Sequence, residues 1–315
     1  MIYLFWLLED NRNMQLLKRQ ETPTGNIALL GIFSAILAVF SLIIAFVPFT
    51  SIAFGLFLPL ISAVAAYYVQ KKYIPLYMVG ASLICIGVTF FNIGDTLFFV
   101  IPSIFSGSLF GFMRAKKILP QFNIFIISLV QFILHVIAYY LLIAITGIDM
   151  LNVVVSLLNL NSSKDYMILF ISALLSLSFG ETGLNYLIIE GVLEKFSIET
   201  IKEGPIARMV SASIAFILGL VSILMGIGII SSQAMPIIFV IMLYFSISGT
   251  DYLFSKIRPV WIYVLLGFLM IASLFFVAIF YQNENPINSL GLLACFPVSL
   301  SLVTFVSILE NKMAQ

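Results

Sequence analysis

Residues 27–47 read IALLGIFSAILAVFSLIIAFV, twenty-one consecutive positions without a charge. A helix crosses the ~30 Å hydrocarbon core of a bilayer with about 20 apolar residues, so this run alone is long enough to span. Moving outward from it, apolar runs bounded by charge, Pro or Asn recur at 50–69, 73–91, 96–113, 122–146, 166–190, 208–230, 235–255, 260–281 and 288–309. The composition agrees: of 315 residues 62% are hydrophobic and 9% are charged, against ~25% charged in a soluble domain. The expectation is an all-α, polytopic transmembrane helix bundle of about ten spans. A net charge of +1 leaves no basic surface for nucleic acid, which must be neutralised at its phosphates.

Orientation follows the bias of Lys and Arg among the loops. Alternate loops hold Arg12, Lys18 and Arg19; Lys71 and Lys72; Arg114, Lys116 and Lys117; Lys195, Lys202 and Arg208; Lys256 and Arg258; and Lys312, fourteen in all, while the opposite set holds only Lys164. One missed or invented helix would swap every later loop, so the count supports ten crossings with both termini cytoplasmic. Residues 1–26 then form a cytoplasmic segment and 27–315 a single transmembrane domain in a cytoplasmic (inner) membrane. Tyr67, Tyr68, Tyr73, Trp261 and Tyr281 fall at span ends, the level of the headgroups. Met1 to Leu8 lacks a basic flank and a cleavage site, so no signal peptide is expected; it reads either as an interfacial helix or as an extension upstream of a start at Met14. Met150 to Leu160 reads either as an outer amphipathic helix or as an ordinary loop.

Neither G-x-x-x-x-G-K-[ST] nor G-x-G-x-x-G occurs, so the chain has no phosphate loop of its own for ATP. A single His, with Cys85 and Cys295 both inside spans, makes no hydrolytic metal site. No nucleophile elbow is present either, so neither an enzyme nor a cofactor is expected.

Ionisable groups inside spans are costly and mark candidate sites. Two are deep, His135 in the fifth span and Glu181 in the sixth. Gln131, His135 and Tyr139 recur at i, i+4 and i+8, and Glu181 and Asn185 at i and i+4, so each set shares one helix face. Joined antiparallel helices would bring these five together as a substrate-binding cluster. A structural interhelical hydrogen bond, worth ~0.6 to 2 kcal/mol in membranes, explains the same residues. Gly180 and Gly183 would loosen the helix beside Glu181. Asp95 is expected to cap the following helix, with a place at the outer mouth of a ligand path as its alternative. Asp251 is expected to pair with a basic neighbour. Pro59 and Pro102 are expected to interrupt and kink the second and fourth spans. Gly31 with Ala35, Ser34 with Ala38, and Ser103, Gly107 and Gly111 give small residues every fourth position, faces for close helix approach within the chain or against a partner.

The stretch Ile27 to Lys117, with IALLGIFSAILAVFSLI, a Pro-containing second helix and IPSIFSGSLFGFMRAKK ending on a basic turn, resembles the YybS-like family of bacterial integral membrane proteins. More distantly it is similar to the substrate-binding subunits of energy-coupling-factor vitamin transporters. The second resemblance implies six helices around a small-molecule ligand, here 27–190, and a first helix whose Gly31, Ser34, Ala35 and Ala38 contact a membrane coupling subunit bound to ATPases. Four further spans, 208–309, depart from that pattern. Shape-determining membrane proteins look loosely similar, which implies a scaffold. Two inverted five-helix repeats also suit ten spans, without internal sequence similarity. The leading expectation is a transporter or its ligand-binding membrane subunit; the alternative is a non-catalytic scaffold docking partners through small-residue helix faces.

Overall fold

The computed structural model describes residues 20–47, 54–55, 57–147, 149, 164–195, 204–254 and 293–313. The interfacial helix at Met1 to Leu8, the outer segment Met150 to Leu160, the ninth span at 260–281 and the basic residues Lys256 and Arg258 lie outside them, as does the side chain of Asp251. All regular structure among the described residues is helical: α1 Pro23–Phe46, α2 Leu58–Tyr68, α3 Ile74–Val88, α4 Ile101–Ala115, α5 Pro120–Thr146, α6 Lys164–Lys195, α7 Pro205–Gly226, α8 Met235–Phe254 and α9 Cys295–Met313. Among the described residues five helical segments are long and apolar enough to cross a membrane, Pro23–Phe46, Lys71–Val88, Phe90–Ala115, Pro120–Thr146 and Ile206–Gly226; Leu58–Tyr68, Met235–Ser248 and Pro297–Val306 are apolar but shorter. The apolar helices mark a membrane protein. Large aliphatic side chains such as Ile32, Val39, Leu83 and Leu187 stand more than half exposed, the pattern of a surface that meets lipid instead of water.

The chain divides into two compact units. One comprises Met1–Ile118, Ile133–Tyr139 and Glu181–Ile201; the other comprises Leu119–Phe132, Tyr140–Gly180 and Lys202–Gln315.

In the first unit, α2 and α4 form the closest pair. A Cβ added at Gly107 would overlap the backbone of Pro59, 2.7 Å from its Cα and carbonyl carbon, and one at Gly111 would overlap the Ala63 carbonyl and stand 3.0 Å from the Ala66 Cβ. Only glycine allows that approach. The close approach expected at Gly107 and Gly111, within the chain or against a partner, is made within the chain by α2, whose Ser62, Ala63, Ala65 and Ala66 are buried.

The expected proline kinks take different forms. Pro59 sits in the first turn of α2, where a missing N–H costs no intrahelical bond, whereas Pro102 lies inside the continuous helical segment Phe90–Ala115. A five-residue π-helix, Thr96–Val100, directly precedes the helix that carries Pro102, an interruption of the fourth span where one was expected.

Asp95 likewise departs from the expected cap. Its backbone is already helical and it makes no side-chain cap bond; its Oδ2 accepts from the Asn92 amide at 2.9 Å. That amide also donates to the Ala45 carbonyl at the end of α1 (3.3 Å), and the Thr89 and Thr96 hydroxyls bond each other, which closes the α3–α4 turn.

At the opposite end of α1, Thr22 caps the helix by accepting from the Gly25 N–H (3.1 Å). Asn26, fully buried, donates to the Thr22 carbonyl at 2.7 Å and accepts from the Gln70 N–H at 2.7 Å. This clasp fixes α1 against the α2–α3 turn.

In the second unit, α7, α8 and α9 pack mutually, with Gly219 of α7 fitted under Val298 and Met242. Gln121 of α5 joins them: its Oε1 accepts from Ser211 at 3.0 Å, its Nε2 donates to the Ser248 carbonyl at 3.1 Å, and its own carbonyl accepts from the Tyr244 hydroxyl at 2.6 Å. One turn on, Phe125 lies 5.0 to 5.9 Å, ring to ring, from Phe179, Tyr244 and Phe245.

Candidate functional site

His135, Tyr139, Glu181 and Asn185 all belong to the first unit, and the side chains of His135 on α5 and Glu181 on α6 meet there. Gln131, buried, falls in the stretch of α5 that belongs to the second unit.

His135 is 1% exposed, and it meets the carbonyl of the residue four before Pro102. In an α-helical register residue 102 would donate to the carbonyl of Phe98, four residues back, and proline has no N–H to give. The Nε2–H of His135 donates to that carbonyl instead, at 3.1 Å, and the imidazole stacks on the Phe98 ring with centroids 6.1 Å apart and planes 19° off parallel. The imidazole thus gives this carbonyl a donor from another helix, where lipid offers none. The Glu181 carboxylate stands 4.0 Å from the same Nε2, within ion-pair reach but too far for a hydrogen bond. Gly55 closes the other side of the carboxylate, where an added Cβ would stand 3.5 Å from Oε1.

One turn along α6, Asn185 is fully buried, and neither its amide oxygen nor its amide nitrogen has a hydrogen-bond partner. Each such unmet group costs about 1–3 kcal/mol. A buried amide with an unmet donor beside an unmet acceptor, below a carboxylate and an imidazole, provides the polar atoms a small ligand needs in an otherwise apolar setting. Among the described residues no group of three His, Cys, Asp or Glu side chains converges as a metal site would require.

Two features escaped the sequence reading. Arg114, counted only as an interfacial cation, is 6% exposed and pairs with Glu190 at 3.2 Å. The ring of Tyr186, the residue after Asn185, lies 6.0 Å from that of Phe110. The spacing held a signal: Phe110 and Arg114 share a face of α4, as Tyr186 and Glu190 share one of α6.

On the small-residue faces of α1, Ser34 is buried while Gly31 and Ala35 are exposed and Ala38 is half-buried. Nothing lies within 4 Å of a Cβ built at Gly31.

Comparison with protein-family models, with curated proteins and with solved structures finds no match to this chain.

Proposed function

We propose that this chain is a ten-span bacterial inner-membrane protein with both termini in the cytoplasm, and that it acts as a transporter, or as the ligand-binding membrane subunit of one, for a small molecule. The observation that carries this proposal is the group formed by buried His135 and Asn185 with half-buried Glu181. It holds a carboxylate at ion-pair distance from an imidazole, with an amide one turn away whose two polar atoms have no partner. Polar groups at that depth are expensive in a bilayer, and their default explanation is a ligand or ion path. The more distant resemblance of Ile27 to Lys117 to vitamin-transporter binding subunits supports the same reading, and suggests a coupling subunit with ATPases as partner.

The test is Glu181→Gln, which keeps the shape and removes the charge. Native mass spectrometry of the mildly solubilised protein is expected to show a bound small molecule in the parent chain and none in the variant, at an unchanged folded yield. Loss of folding with no bound molecule in either form would defeat the proposal.

A scaffold is the second reading, and one observation favours it. The open, exposed Gly31 and Ala35 of α1 offer a second helix close approach, and the resemblance puts partner contact there. Such a protein would carry a bound protein and no small molecule in the same spectrum.

A further inference from the structure

The start of α1 is stitched to the turn between α2 and α3. The Gln20 N–H donates to the Tyr68 carbonyl at 2.9 Å, the Gln70 N–H to the Asn26 Oδ1 at 2.7 Å, and the Gln70 Nε2 to the Glu21 carbonyl at 2.6 Å. Beside these bonds lies a pocket of about 440 Å³ lined by Gln20, Glu21, Gln70, Lys71 and Lys72, at the proposed cytoplasmic end of the first unit. Both lysines are exposed, and among the described residues neither forms an ion pair, although Glu21 shares the lining. The Lys72 Nζ stands over the Tyr73 ring, 5.1 Å from its centroid, and such a ring sits at the level of the headgroups. Two ammonium groups against one carboxylate leave the pocket one positive charge in excess. The surface that continues from it is apolar. The helix that begins at Lys71 runs on to Val88, and Leu76, Val79 and Leu83 follow Lys72 at i+4, i+7 and i+11, on one face. They are 61%, 56% and 63% exposed, so that face carries a cation at its end and open apolar surface beyond it. From Lys72 to Leu83 is about 16 Å at the rise of a helix, close to the ~15 Å of hydrocarbon in one leaflet. Basic pockets beside membrane helices take phosphorylated lipid headgroups, whereas a soluble anion would leave the apolar stripe uncovered.

We propose that this pocket is a headgroup site for an anionic glycerophospholipid with one net negative charge, its phosphate held by Lys71 and Lys72 and an acyl chain lying along Leu76, Val79 and Leu83. The single positive charge in excess matches that headgroup, and the Glu21 carboxylate accepts from the headgroup hydroxyls. A choline headgroup has no net charge to match and no N–H or O–H to offer Glu21. The lipid site is separate from the site at His135, Glu181 and Asn185 and does not depend on it.

Native mass spectrometry of the full chain, stripped of lipid in a neutral detergent, tests the site with three probes: phosphatidylglycerol, phosphatidylcholine and glycerophosphoglycerol, the headgroup without chains. One phosphatidylglycerol is expected to bind at least about tenfold more tightly than phosphatidylcholine, and Lys71→Gln with Lys72→Gln is expected to remove that preference at an unchanged melting temperature. Lys71→Arg with Lys72→Arg keeps both charges and is expected to keep the preference. The single variants Lys71→Gln and Lys72→Gln, each expected to weaken phosphatidylglycerol at least about threefold, decide the same question if the two together unfold the chain. Glycerophosphoglycerol is expected to bind at least about a hundredfold more weakly than the lipid, because it buries no acyl chain. Taking two charges from other basic loops, Lys116→Gln with Lys202→Gln, is expected to leave the preference in place. Equal affinity for the two lipids overturns the proposal, as does a preference that survives the loss of Lys71 and Lys72. An equal loss in Lys116→Gln with Lys202→Gln also overturns it, since the basic loops would then attract anionic lipid in general. Binding of glycerophosphoglycerol as tight as that of the lipid overturns it in favour of a soluble phosphate ester.

Discussion

His135→Leu, tested with and without Pro102→Ala, decides what the lone imidazole contributes to the fold. Leucine is close enough in volume to limit any cavity, so the loss falls mainly on polar terms. The Phe98 carbonyl loses a donor at 3.1 Å, and a buried acceptor left without one costs about 1–3 kcal/mol. Glu181 also loses its neighbour at 4.0 Å. Pro102→Ala supplies a backbone N–H in register with Phe98, and its return is expected to be near the ~0.6 to 2 kcal/mol measured for interhelical hydrogen bonds in membranes. In the parent chain the carbonyl already has its donor, so Pro102→Ala alone is expected to change little. The coupling between the two substitutions is therefore expected to be about 1 kcal/mol, read from reversible unfolding in mixed detergent micelles as a double-mutant cycle. Additivity within about 0.3–0.5 kcal/mol would refute the link between proline and histidine.

Three further outcomes follow from the same geometry. Gly107→Ala is expected to destabilise by about 1–3 kcal/mol through overpacking against Pro59, whereas Gly31→Ala, with open space around it, is expected to be neutral or stabilising by up to about 1 kcal/mol through helix propensity; equal melting shifts for the two would contradict the α2–α4 contact. Asn185→Leu removes two unmet polar atoms and is expected to hold or raise the melting temperature while abolishing ligand binding; a fall of more than about 1 kcal/mol in stability would mean that the amide is bonded in the native protein. A reporter active only outside the cytoplasm is expected to stay silent at either terminus and to work in the segment 148–163, and opposite results at the two ends would remove the ten-span topology.

The small-residue rows show where sequence reading reached and where it stopped. Gly107 and Gly111 were legible as a face for close approach, because absence of a side chain is a property of the residue itself. Which helix fills that face depends on a neighbour almost fifty positions away, and it turned out to be α2, through Pro59 and Ala63. The prolines were legible as breaks, but whether each break falls inside a helix or at its start depends on where the chain turns. Arg114 was read as an interfacial cation because its partner, Glu190, lies 76 positions away, beyond any local pattern.

The sequence by itself determined a membrane protein built from helices, since hydrophobic length and charge placement are sums over local residues, and in lipid a helix meets its backbone hydrogen bonds within the segment. It also singled out His135, Glu181 and Asn185, since an ionisable or amide group in an apolar run stands out wherever the run packs. Only the tertiary structure decided that the imidazole serves the carbonyl four residues before Pro102, that Gln131 belongs to the other unit, and that an arginine at a helix end is held in by a glutamate on another helix. Those are pairings between distant segments, and their energies depend on distances that spacing along one chain does not encode.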